Sequence, residues 1–137
     1  MEQEDYLKKS IDQLGKVLSR LLGDILGLKN QGSLIEMISL VEETLKSELS
    51  IDLLALFSIP KNRLIETIQQ NKEISNDNLD KLAEILSYIA NEEKNKEKRN
   101  KFFEHILEIY NYLENNDKTY SIERYYKIEK IKKEISK

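Results

Sequence analysis

The stretch LKKSIDQLGKVLSRLLGDILGL, residues 7–28, decides the fold class of this chain. Its apolar side chains alternate spacings of four and three residues, which places one continuous stripe along an α-helix. Such a stripe must be buried against other helices of the same chain or against a second copy. We therefore predict an all-α protein with a candidate homodimer interface. The candidate self-association residues are Leu7, Ile11, Leu14, Leu18, Leu21 and Ile25.

Turn signals divide the rest of the chain into further helices. Gly32 is typical of a helix end, and Ser33 with Glu36 has the spacing of a capping box at the start of a second helix. Ser50 is the predicted cap of a short third helix, and Ile59-Pro60 is the clearest break. Helices are predicted over about 4–28, 34–49, 51–57, 60–70 and 77–93, then from the charged segment 94–100 to about 114, and from Thr119 onward.

Short connections between these helices favour antiparallel neighbours. The sequence therefore predicts one domain over residues 1–137, with an N-terminal helical hairpin over about 4–49 and helix pairs over about 51–137. The fold class is all-α, arranged as helical hairpins in an antiparallel bundle. The predicted core of the C-terminal half is Phe102, Phe103, Ile106, Tyr110, Tyr125 and Ile128.

Four small residues in the first helix allow two interpretations. Gly15, Ser19, Gly23 and Gly27 recur at intervals of four residues. They either form a thin part of the helix that glycine destabilises, or they permit a close crossing with another helix.

Composition excludes several classes of site. A length of 137 residues fits a single domain, and the absence of cysteine excludes thiolate metal ligands and thiol nucleophiles. The acidic N-terminus differs from a secretory leader, and charged residues interrupt the longest apolar stretch at Asp12, Lys16, Arg20 and Asp24. We expect a cytoplasmic protein that does not enter a membrane.

The residue patterns offer no catalytic constellation. His105 is the single histidine, and we predict that it lies at a helix surface or edge. Asp77, Asp80 and Glu84 share a helix face, which the helix dipole explains better than a metal site. Segment 27–33 lacks the lysine of a phosphate-binding loop. We therefore expect no catalytic, cofactor-binding or metal-binding residues, and no enzyme activity.

Positive charge is concentrated in residues 94–137, which carry 12 basic and 8 acidic side chains, although the whole chain has a net charge of −3. The candidate anion contacts are Lys98, Arg99, Lys101, Arg124, Lys127 and Lys130. Because acidic residues interleave with them, ion-paired helix faces are favoured over a nucleic-acid surface.

Two resemblances bear on function. The segments that carry the first are Glu4-Asp5-Tyr6-Leu7, Gln13-Leu14-Gly15, Gly27-Leu28-Lys29, Ser47-Glu48-Leu49, Ile59-Pro60 and Thr119-Tyr120-Ser121. Together they resemble a family of small uncharacterised bacterial proteins that constitute a domain of unknown function. That likeness implies no activity.

The second resemblance covers the C-terminal half. The segment from Phe103 through Tyr110 and Leu113, followed by Thr119 through Ile131, resembles the helix pairs of tetratricopeptide repeats, although their tryptophan and closing proline are absent. It implies binding of peptides or proteins. The leading hypothesis is a non-catalytic protein-interaction or scaffold module, and the alternative is a nucleic-acid-associated regulator that uses the basic C-terminal third.

Overall fold

A computed structural model describes residues 2–117 and 121–137, with side chains from Glu4 onward. Within these ranges the chain forms seven α-helices and no β-strand, which confirms the all-α class. The helices are α1 (Glu2–Asn30), α2 (Leu34–Leu49), α3 (Leu53–Ser58), α4 (Lys61–Ile68), α5 (Asn76–Glu92), α6 (Lys96–Asn116) and α7 (Ile122–Ser136). The predicted start of the last helix at Thr119 lies outside the described residues.

The turn between α1 and α2 ends one helix as predicted but begins the next one differently. Gly32 adopts φ +77°, and the amide of Ser33 donates to the Leu28 carbonyl at 2.9 Å, which is the Schellman arrangement. The predicted capping box is wrong, since the Ser33 side chain makes no capping hydrogen bond. Its ψ of 67° departs from the extended conformation that points a capping oxygen at the first amides.

The third helix begins two residues later than predicted, and a different residue caps it. Asp52 accepts hydrogen bonds from the amides of Leu54 at 3.0 Å and Ala55 at 3.4 Å. Ser50, the predicted cap, instead ends α2 in the left-handed region with φ 54°. The carboxylate nearer the helix start therefore supplies the capping oxygen.

Helix α6 is central to the packing, because it contacts α3, α4, α5 and α7, while α1 packs on α2 and α5. Ion pairs of Arg99 with Glu134 and of Arg124 with Glu114 show that α6 and α7 are antiparallel. All seven helices contribute to one apolar core. The α1 stripe enters this core at four positions that are at most 4% exposed: Leu14, Leu18, Leu21 and Ile25.

The close crossing allowed by the small residues of α1 occurs at one of them. A Cβ atom at Gly15 would lie 3.1 Å from Asn78 Oδ1 on α5. Asn78 is buried, and its Nδ2 donates to the carbonyls of Ile11 at 3.1 Å and Glu73 at 2.9 Å. Gly23 instead has open space around it, so the small-residue row is only partly a packing feature.

Candidate functional site

Among the described Asp, Glu, Lys and Arg residues, the most deeply buried is Arg124, in the first turn of α7. Only 5% of it is exposed, and its guanidinium donates to Asp117 at 3.0 Å, to Asp80 at 3.1 Å and to Glu114 at 3.4 Å. Burial alone would lower the pKa of Arg124, but the hydrogen bonds to Asp117 and Asp80 outweigh it and raise that pKa. Arg124 therefore joins α7 to α5 and to the end of α6, and it is enclosed rather than presented to an external anion.

Three of the five other candidate anion contacts are also paired. The pairs are Lys98 with Glu93 at 3.9 Å, Arg99 with Glu134, and Lys127 with Glu84 at 3.7 Å. Lys101 and Lys130 are exposed and make no ion pair with any described residue. Among the six candidate anion contacts, only Lys101 and Lys130 therefore carry a charge that no described carboxylate neutralises.

His105 does not lie at the surface, which corrects the sequence-based prediction. It is 3% exposed because α4 and the preceding break cover that side of α6. Its Nδ1 lies 2.9 Å from the Lys101 carbonyl oxygen, and its Nε2 lies 2.5 Å from the Ile59 carbonyl oxygen. Its ring also meets Phe57 at an edge. His105 therefore connects α6 to the start of α4 as part of the packing.

Two of the three carboxylates on the acidic face of α5 are likewise paired with cations of this chain. Asp80 pairs with Arg124 and Glu84 pairs with Lys127, whereas Asp77 forms no ion pair with a described residue. Within the described residues, no three His, Asp or Glu side chains form a group able to hold a metal ion.

A cleft of about 260 Å³ opens where the end of α1 meets α5, α6 and α7. We call it the α5–α7 cleft. Its floor consists of buried side chains, Phe103, Tyr110 and Ile131. Its wall and rim include Ser87, Tyr88, Lys29 and Lys130. Sequence periodicity identified Phe103 and Tyr110 as core positions but did not single out Ile131, and it contained no signal for the cleft.

Three large side chains project from the start of α7 into solvent. Ile122 is 56% exposed, Tyr125 is 47% exposed and Tyr126 is 64% exposed. The two tyrosine rings are 5.6 Å apart and nearly perpendicular. We call these three residues the α7 outer face. The prediction that Tyr125 belongs to the core is wrong, because Arg124, Ile128 and Ile131 turn the opposite side of α7 inward.

Comparison with known proteins adds no relative: no family model, no curated protein and no solved structure matches the chain. The likenesses to an uncharacterised bacterial family and to tetratricopeptide repeats therefore stay predictions. Across the part of the chain that is described, no helix combines the length and apolar content needed to cross a bilayer.

Proposed function

We propose that this chain is a non-catalytic, cytoplasmic interaction module that binds a partner protein through the α7 outer face. The observation that carries the proposal is the exposure of Ile122, Tyr125 and Tyr126 side by side on one helix. Clustered apolar side chains at a surface mark interaction sites more often than isolated ones do. Tyrosine is enriched among the residues that dominate interface energies, since it contributes a large contact area at a small entropic cost.

The charge next to the α7 outer face indicates the character of the partner. Lys133 is exposed two turns further along the same side of α7, and Glu129, between it and the tyrosines, pairs with Lys132 at 3.7 Å. A partner with apolar side chains opposite the tyrosines and a carboxylate opposite Lys133 would complement this surface. That carboxylate would contribute mainly to orientation and to the association rate.

Affinity capture from the native host tests this proposal. The double substitution Tyr125→Ser with Tyr126→Ser should abolish capture of a protein that the parent chain retains. The matched control is Ile35→Ser with Leu54→Ser, which changes two side chains that are 83% and 61% exposed on other helices. Exposed substitutions usually alter stability by no more than about 0.5 kcal/mol, so loss of capture would report binding rather than unfolding. Equal capture by both double variants would contradict the proposal.

A second copy of the chain is one candidate partner. Four of the six candidate self-association residues are buried within a single chain, so a second copy could reach only Leu7 and Ile11 without opening the fold. Light scattering distinguishes a dimer from a monomer. A dimer that Leu7→Glu dissociates would support self-association through α1, whereas a monomer at high micromolar concentration would exclude it.

The alternative function, nucleic-acid binding, is favoured only by Lys101 and Lys130, the two candidate contacts without ion pairs. Fluorescence anisotropy with labelled DNA and RNA at about 50 mM and 200 mM salt separates the alternatives. We expect no sub-micromolar binding. Tight binding that weakens steeply with salt and is lost in Lys130→Glu would favour the alternative.

A further inference from the structure

Helix α7 is attached to the rest of the fold mainly through charged side chains. Among the described residues, seven ion pairs join one helix or its cap to another, and five of these pairs involve α7. Arg124 makes three of the five, and the remaining two are Arg99 with Glu134 and Lys127 with Glu84. The other six helices are held together chiefly by their apolar contacts.

The apolar part of the α7 attachment is small. Two apolar side chains of α7 are buried, those of Ile128 and Ile131. Helix α2 is one residue longer and buries four: Met37, Val41, Leu45 and Leu49. Helix α7 packs chiefly against α6, whereas α6 itself contacts four helices. Segments with few buried apolar contacts open locally at a lower free energy than the core of a protein, so we expect α7 to open before the core does.

The charged contact compensates only partly for the small apolar one. The Nε atoms of Arg99 and Arg124 are buried, and neither has a hydrogen-bond partner among the described residues. An unpaired buried donor costs free energy, which reduces the net stabilisation that these ion pairs provide. In the pairs Arg99–Glu134 and Lys127–Glu84 the side chains are 22–37% exposed, so dissolved salt can screen their attraction.

We propose that α7 is a latch, a helix that releases from α5 and α6 as a unit while helices α1–α6 stay folded, and that ionic strength sets how often it releases. Salt weakens the partly exposed ion pairs of α7, whereas the apolar core of the other helices does not depend on such pairs. Release would take Ile131 away from Phe103 and Tyr110 and so open the α5–α7 cleft on one side. The latch goes beyond the proposed function, since it concerns the docking of the helix that carries the α7 outer face and not the binding of a partner to that face.

Native-state hydrogen exchange of the free chain, followed by NMR, tests the latch. An isolated helix of 15 residues is marginal in water, so the amides of α7 exchange whenever the helix releases. We expect about hundredfold protection of the Ile128 and Ile131 amides, against at least about ten-thousandfold for Leu82 and Leu86 in α5. Low concentrations of urea should hardly change exchange in α7, because its release exposes little surface, but they should accelerate exchange in α5.

The salt dependence of exchange tests the role of the ion pairs. Raising NaCl from about 50 mM to about 500 mM should speed exchange of the α7 amides severalfold. Lys127→Gln removes one of the screened pairs, so it should speed exchange about threefold at low salt and reduce the effect of added salt. Lys132→Gln is the matched control, because the pair of Lys132 with Glu129 lies within α7 and does not dock the helix. It should leave exchange and its salt dependence close to those of the parent.

Arg124→Met removes three of the five ion pairs of the latch and should release α7 in most molecules. The α7 amides should then lose their protection, while the Leu82 and Leu86 amides stay measurably protected. Equal protection of the α7 and α5 amides in the parent, loss of protection in all helices together in Arg124→Met, or α7 exchange that salt does not change would contradict the latch. None of these results bears on the protein-interaction proposal, because the experiment contains no partner protein.

Discussion

The guanidinium of Arg124 contacts three carboxylates. Its removal would therefore leave three negative charges without the cation that they share. In Arg124→Met, the carboxylates of Asp80, Glu114 and Asp117 would remain close together without their shared counter-charge. Breaking a buried ion cluster by removing one partner costs about 3–5 kcal/mol, and we expect the lower end because these carboxylates are 22–30% exposed.

Urea unfolding near neutral pH measures this loss. Lys132→Met is the matched control on the same helix, since among the described residues Lys132 pairs only with Glu129, at 3.7 Å and exposed to solvent. The control should change the free energy of unfolding by no more than about 0.5 kcal/mol. A loss below about 1 kcal/mol in Arg124→Met would show that the cluster does not stabilise the fold.

Tyr110 gives the fold a dependence on alkaline pH. Burial, followed by the nearby charge of Asp80, raises the pKa of Tyr110 far above its ordinary value of about 10. Above about pH 10 the unfolded chain releases this proton while the folded chain keeps it, so stability falls as pH rises. Below about pH 10 both states hold the proton, and the full contribution is present.

Tyr110→Phe should remove this decline. The free energy of unfolding, measured from about pH 8 to pH 11, should rise in the variant relative to the parent. Above about pH 10 the difference should grow by up to about 1.4 kcal/mol per pH unit. Near pH 8 the variant should lose no more than about 1 kcal/mol, because among the described residues Ser87 is the single hydrogen-bond partner that the Tyr110 hydroxyl has. If the free energies of unfolding of the two proteins change with pH in the same way, this account of Tyr110 is contradicted.

Helix α1 crosses α5 closely at Gly15, whereas no atom lies close to the Cβ position of Gly23, the next glycine of the helix. Gly23→Ala should stabilise the protein by about 0.5–1 kcal/mol, since alanine is the better helix former and nothing lies within 4 Å of its Cβ position. Gly15→Ala should gain nothing or lose stability, because its Cβ would press on Asn78 Oδ1. The Asn78 amide is held by two hydrogen bonds and cannot easily move away.

Thermal or urea unfolding of the two alanine variants tests this difference between neighbouring glycines. Gly15→Ala and Gly23→Ala change the same residue type on the same helix, so helix propensity cancels in the comparison. Equal stabilisation by both would show that the crossing is looser than described.

Helix α7 shows where sequence periodicity stops being informative. In α1 the apolar residues occupy one stripe, and the sequence correctly places Leu14, Leu18, Leu21 and Ile25 in a buried row. In α7 the apolar residues lie around most of the circumference, so their spacing does not select an inward side. The contact with α6 selects it, together with the carboxylates that receive Arg124.

At the scale of the whole molecule, composition and periodicity were sufficient for the fold class and for the approximate positions of the helices. They could not show that α6 contacts four other helices, because those contacts join residues far apart in the chain. The α5–α7 cleft depends on the same long-range packing. The buried state of His105 does too, since α4 covers it only in the folded chain.

The central claim of this account is that the α7 outer face binds another protein. Site-specific photo-crosslinking in the native host tests it most directly, with a benzophenone side chain in place of Tyr126 and, as the control, in place of Leu54, which is similarly exposed at 61%. We predict a discrete protein adduct from position 126 that position 54 does not give. No adduct at position 126, the same adducts at both positions, or an adduct with nucleic acid would contradict the claim.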